Sequence, residues 1–146
     1  MKVVLLDVNV LIALLWPSHE HHGVAHHWFQ ARGRTGWATC PLTELGFVRI
    51  VSNPSFSTDA LSPRDALALL GRNLAHPGHK FWADDLAVSE AFSEHDDHIQ
   101  GHRQFTDVYL VALARSHHGT LASFDGGLRQ LAPGDRASAL EVVPTA

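Results

Sequence analysis

The chain has 146 residues, 45% of them hydrophobic, a formal net charge of -4 and one cysteine. That length suits a single domain over 1–146 with its own core, and the lone thiol, Cys40, excludes an internal disulfide and gives no support to a cysteine-based zinc site. The negative balance speaks against gripping nucleic acid by overall charge, and the longest apolar stretch, Val8 to Trp16, reaches only about half of the ~20 residues a membrane span needs, so a soluble, cytoplasmic protein is expected.

Strand and helix signals alternate, without repeats or low-complexity tracts, which predicts an α/β domain with a mostly parallel sheet. Lys2 to Leu6 is a continuous apolar run rich in β-branched residues, the pattern of a strand buried on both faces, and Asp7 follows it directly. A helix is expected over Val8 to Trp16, stopped by Pro17, and a second over His19 to Arg34, where Val24, Trp28 and Phe29 recur at helical spacing before Gly33 and Gly36. Trp37 to Cys40 reads as a short strand. Pro41 then suits the first position of a helix carrying Leu42, Leu45, Val48 and Val51, with Glu44 in its first turns. After a loop from Asn53 to Leu61, Ser62-Pro63 opens a helix to about Leu74, closed by His76-Pro77-Gly78. Lys80 to Ala83 is a strand candidate, and Asp84 to His102 is expected to be partly helical. Thr106 is a candidate cap for a helix from Asp107 to His118 that ends at Gly119. Thr120 to Phe124 is a strand leading into Asp125-Gly126-Gly127, followed by a short helix near Leu128 to Leu131 and a last strand over Leu140 to Val143.

In an open α/β sheet, ligands bind in the crevice outside the carboxyl ends of the strands. Asp7 and Asp125 each follow a predicted buried strand, Asp107 opens a helix, and Glu44 lies in the first turns of another. Four acids distant in sequence therefore have reason to converge. Helix termini stabilise a carboxylate by only ~0.3–1 kcal/mol, less than the mutual repulsion of several packed anions, so a hard cation is the natural counter-charge. Mg²⁺ and Mn²⁺ prefer such oxygen ligands, and a site of this kind activates water against a phosphodiester. Asp7 and Asp107 are candidate direct ligands and Asp125 a ligand of the same or a second ion. Glu44 has a choice between binding metal through water and acting as a base.

Four segments carry a resemblance: Leu5-Leu6-Asp7-Val8-Asn9-Val10-Leu11-Ile12, Pro41-Leu42-Thr43-Glu44-Leu45-Gly46-Phe47-Val48-Arg49, Phe105-Thr106-Asp107-Val108-Tyr109-Leu110, and Ala122-Ser123-Phe124-Asp125. In this order the chain resembles the PIN domain, and within it the VapC-type toxins of bacterial toxin–antitoxin pairs. The family's acid positions fall on Asp7, Glu44, Asp107 and Asp125. The resemblance implies a three-layer α/β/α domain and Mg²⁺- or Mn²⁺-dependent cleavage of RNA, with transfer or ribosomal RNA as leading substrates. It also implies a homodimer and inhibition by a small cognate antitoxin that inserts a segment into the active-site groove.

Asn9 and Thr106 suit supporting roles near a metal, Thr106 equally that of a cap. Arg103 and Gln104, preceded by His102, are candidate contacts to RNA phosphate or base edges. Any single Asp after a strand is more often a turn or cap residue, and Asp59, Asp65, Asp84, Asp85, Asp96, Asp97 and Asp135 are read as caps, turns or solvated faces. Among twelve histidines, His22 with His26 and His98 with His102 have same-face helical spacing, yet the metalloprotease pattern fails because Gly23 stands where the second His belongs. Solvent-facing histidines are the expectation, and Trp16, Trp28, Trp37 and Trp82 are expected in the core or a dimer contact. Two rival functions stand beside the nuclease. One is a haloacid-dehalogenase-type phosphatase with Asp7 as nucleophile, which would need an acid where Asn9 stands and a better-placed lysine than Lys2 or Lys80. The other is a non-catalytic binding module of the same fold.

Overall fold

Alternate residues of the central strand feed two separate cores. In β1 (Val4–Leu6), Val4 and Leu6 join one buried cluster and Leu5 the other, all fully buried. Trp37 and Ala38 divide likewise in β2 (Trp37–Thr39), as do Ala122 and Leu121 in β4 (Thr120–Ser123). A sheet with period-two side chains and apolar partners on both faces must be the middle of three layers. The computed structural model describes residues 2–92, 99, 101–131 and 138–145.

With β3 (His79–Phe81) and β5 (Leu140–Val142), the strands run all parallel in the order β3-β2-β1-β4-β5. One face is covered by α1 (Val8–Leu15), α2 (His22–Arg32), α3 (Pro41–Val51) and α4 (Pro63–Leu74), through residues such as Leu11, Ala25, Phe47 and Leu70. The other is covered by α5 (Val88–Ala91), α6 (Gln104–Ser116) and α7 (Leu128–Leu131), chiefly through Val108 to Ala114. The chain steps outward from β1 to β3 and then returns to β4 on the other side of β1. That reversal puts the topological switch point between β1 and β4, where such sheets bind ligands.

Most elements are shorter than expected by a residue or two, α6 for instance ending at Ser116, and the starts of α2, β3 and α6 are displaced. Residues 19–21 form turns, so α2 starts at His22; a 3₁₀ turn at Gly33–Thr35 follows it. Strand β3 is shifted one residue earlier and is shorter, because it pairs only with the three residues of β2, from Trp37↔His79 to Thr39↔Phe81. Helix α6 begins at Gln104, so Thr106 is its third residue and not its cap. The backbone is already turning at Gly101, whose carbonyl accepts from Gln104 N–H, and the helix builds on that turn. Among the described residues of the segment from Asp84 to His102, α5 meets the expectation of partial helix; His98, Asp96, Asp97 and Asp135 lie outside the described residues.

The tryptophans serve the core: Trp16, Trp37 and Trp82 are buried. Half-buried Trp28 donates from Nε1 to Glu141 (2.9 Å), which also accepts Arg32 Nε at 2.8 and 2.9 Å. This clamp ties α2 to edge strand β5. Hydrogen bonds to charged groups contribute about 1.5–3 kcal/mol, so Arg32→Ala should destabilise by that much, read as a lower denaturant midpoint at unchanged m-value.

Candidate metal and catalytic site

Asp7 leaves β1 at the switch point and caps α1. Its Oδ1 accepts from Val8 N–H (2.8 Å) and its Oδ2 from the Ser123 hydroxyl (3.0 Å). Ser123, the last residue of β4, also accepts from Asp125 N–H at 3.1 Å, and Asp125 Oδ1 accepts from Gly127 N–H at 2.9 Å. One serine thus joins the acids of both central strands. Asp107, in the first turn of α6, faces the same two carboxylates. Burial first, then Asp7 and Asp125, push its pKa up to about 6. Asp7 is raised as well, by burial against the opposing bonds from Ser123 and Val8, with Asp125 adding to the rise.

Glu44 is placed differently from these three. It lies in the first turn of α3 and accepts from the Thr39 hydroxyl (2.7 Å) at the end of β2; Thr39 Oγ1 in turn lies 2.7 Å from His79 Nε2. Burial lowers the His79 pKa, opposed by Glu44. Asn9 is exposed in the first turn of α1, Thr106 is exposed beside Asp107, exposed Arg103 immediately precedes α6, and Gln104 is half-buried as its first residue. A groove of about 510 Å³ is lined by Leu42, Asp84, Phe92, Phe105, Thr106 and Tyr109, with Thr106 of α6 in its wall.

Ser123 and Thr39 were not singled out in the sequence, although Ser-x-Asp at a strand end is the pattern of a hydroxyl turn. Among the described residues, His26, His27, His76, His102 and His118 are exposed as expected, whereas His19, His21, His22, His79 and His117 are half-buried. His22 Nδ1 and His26 Nε2 bond the carbonyls of Ala13 and Leu14 at the end of α1, at 2.7 and 3.0 Å. His117 stacks on Trp82 and pairs with Asp85 at 3.1 Å.

The carboxylates of Asp7, Asp107 and Asp125 offer hard oxygen donors and excess negative charge, which suits a hard divalent cation. Among the described residues, no group of three His, Cys, Asp or Glu side chains is gathered tightly enough to hold an ion as it stands. Two expected results follow. Ser123→Ala should lower turnover about 10–100-fold, the range for residues that orient metal ligands, and weaken metal titration in parallel. Because a proton and a cation compete for Asp107, Mn²⁺ affinity should weaken by roughly tenfold per pH unit below about 6, as calorimetric titration would report.

An all-parallel α/β domain with an acid cluster at its switch point defines the class. The PIN domain family model matches residues 4–133. Ribonuclease VapC39 of Mycobacterium tuberculosis (strain CDC 1551 / Oshkosh) is 45% identical over 124 residues, spanning 85% of this chain and 89% of that protein. Ribonuclease VapC38 of Mycobacterium tuberculosis (strain ATCC 25618 / H37Rv) is 46% identical over 130 residues, spanning 88% and 89%. A crystal structure of VapBC2 from Rickettsia felis bound to a DNA fragment from their promoter matches with a TM-score of 0.68 over 97% of this chain and 99% of that one; at 10% identity the likeness is one of fold. The chain belongs to the PIN domain family and, within it, to the VapC ribonucleases.

Proposed function

We propose that this VapC ribonuclease is the endoribonuclease toxin of a toxin–antitoxin pair, hydrolysing RNA phosphodiester bonds with Mg²⁺ or Mn²⁺ held by Asp7, Asp107 and Asp125. The supporting observation is the approach of Asp7 and Asp125 to Asp107, whose carboxyl is raised to about 6 first by burial and then by these two neighbours. A divalent cation bound there would lower the pKa of water and offset charge on the phosphate. Ser123 fixes the orientation of Asp7 through its hydroxyl and of Asp125 through the backbone. Glu44, oriented by the Thr39 hydroxyl, would accept the proton of the attacking water or bind the cation through water. Asn9 and Thr106 would orient water at the rim, and Arg103 and Gln104 would contact phosphate or base edges.

Loops of transfer or ribosomal RNA are the proposed substrates. A cognate antitoxin would close the site by laying an apolar segment in the groove beside Phe105 and Thr106, and the working unit would be a homodimer in the cytoplasm. Among the described residues no helix is long and apolar enough to cross a membrane. The phosphatase rival lacks its second acid at Asn9, and the named ribonuclease relatives weigh against both it and a purely binding role.

The test is cleavage of total RNA in Mn²⁺ or Mg²⁺ by wild type and Asp7→Asn. Asparagine caps a helix as well as aspartate, so α1 should survive the change. Wild type should cleave, chelation should stop it, and Asp7→Asn should be inactive. Equal cleavage by both proteins would overturn the assignment.

A further inference from the structure

We propose that His19, His21 and Phe124 form a nucleobase subsite beside the carboxylates, on which a base flanking the scissile phosphate stacks. This rests on the ribonuclease reading and assigns a binding role to residues outside the acid cluster.

The turns between α1 and α2 bring two imidazoles to the carboxyl edge of the sheet. His19 N–H donates to Trp16 O, and His22 N–H to His19 O, each at 3.0 Å. His21 N–H donates to His19 Nδ1, also at 3.0 Å. With Nδ1 accepting, the neutral ring carries its proton on Nε2, leaving a donor for a base edge. The His19 ring lies nearly parallel to that of Phe124, at 15° with centroids 6.5 Å apart. His21 sits 5.1 Å from Phe124 and 5.7 Å from His19. All three residues are half-buried, so the group keeps accessible surface.

Phe124 immediately precedes Asp125, whose N–H is fixed by Ser123, so the aromatic group is joined to the acid cluster by one peptide. An edge crowded with carboxylates repels the RNA backbone, and the charge of the whole chain does not reverse this. Stacking on a flat ring avoids the difficulty, because every base has a π-face whatever the local field. Burial, followed by the neighbouring His21, lowers the His19 pKa, which favours the neutral ring at pH 7. Such a ring serves as a stacking surface and hydrogen-bond donor, while the phosphate charge is left to the cation and Arg103.

The experiment uses the full chain and a short single-stranded RNA spanning a cut mapped in total RNA. Binding and single-turnover cleavage are compared for wild type, His19→Ala/His21→Ala and His19→Phe/His21→Phe. The alanine pair should weaken RNA binding roughly tenfold or more, with Mn²⁺ affinity unchanged and a smaller effect on the saturated rate. The phenylalanine pair, which retains both rings, should recover most of that loss. Removing the base of one flanking nucleotide should weaken wild-type binding and bring wild type and the alanine pair together. Alanine variants that bind RNA like wild type, or a loss that phenylalanine does not repair and every abasic RNA leaves unchanged, would overturn the subsite while leaving the ribonuclease intact. A wild type that cleaves no RNA would overturn the ribonuclease reading and the subsite with it.

Discussion

Asp107→Asn is expected to abolish RNA cleavage, by on the order of 10³-fold, while making the metal-free protein more stable near neutral pH. Both effects come from one position. The carboxyl is raised to about 6 by burial and by Asp7 and Asp125. Its folded pKa lies above the unfolded value, so its favourable contribution is complete below about 4 and lost as pH rises through about 6. Above that, its charge opposes folding. The neutral amide removes that repulsion together with a metal ligand. Thermal midpoints of wild type and variant should therefore separate in favour of the variant between about pH 6 and 8, and the gap should close on acidification. Added Mn²⁺ should raise the wild-type midpoint far more than that of the variant. A variant that lost activity merely by misfolding would show a lower midpoint throughout.

The largest stability effect is expected far from the acids. Gly119→Ala should destabilise the fold by about 3 kcal/mol, at the upper end for overpacking. A Cβ at Gly119 would stand 2.5 Å from the backbone carbonyl of Val3 and 2.5 Å from the Trp82 ring. Neither neighbour yields easily. Val3 O accepts from Thr120 N–H where β1 meets β4, and Trp82 stacks on His117 at 4.5 Å with the rings almost parallel. Gly23→Ala in α2 is the control, since nothing lies within 4 Å of its Cβ, and it should be neutral or stabilise by up to ~1 kcal/mol. Denaturant titration of the three proteins measures both shifts. Residual activity of Gly119→Ala at low temperature should persist, because the strain falls at the strand ends opposite Asp7.

Gly119 also illustrates what the sequence conveyed. It reads as a helix stop, yet α6 ends at Ser116, His118 takes the left-handed conformation (φ 57°), and Gly119 is required for close approach. Helix termination is a local property; which backbone and ring crowd a residue depends on chain far away. The same division runs through the site. The strand-end placement of Asp7 and Asp125 is legible because the segments of β1 and β4 read as strands, and these two strands lie side by side at the switch point. Thr106 lies inside α6 and not at its cap because a turn at Gly101 starts the helix earlier than the sequence pattern predicts. The Ser123 bond to Asp7 spans 116 positions, and His79 reaches Thr39 across 40; no local pattern encodes such pairings. The half-buried histidines escape local pattern for the same reason, since the partners of His22 and His117 lie on other segments.

The central claim is hydrolysis of RNA by water at the carboxylate cluster, and the products of a single turnover in oxygen-18 water test it most directly. Hydrolysis without a covalent or cyclic intermediate predicts a linear terminal phosphate carrying one solvent oxygen, formed only with Mg²⁺ or Mn²⁺ and absent for Asp107→Asn. A cyclic phosphate product, or cleavage that persists in chelator, would contradict it.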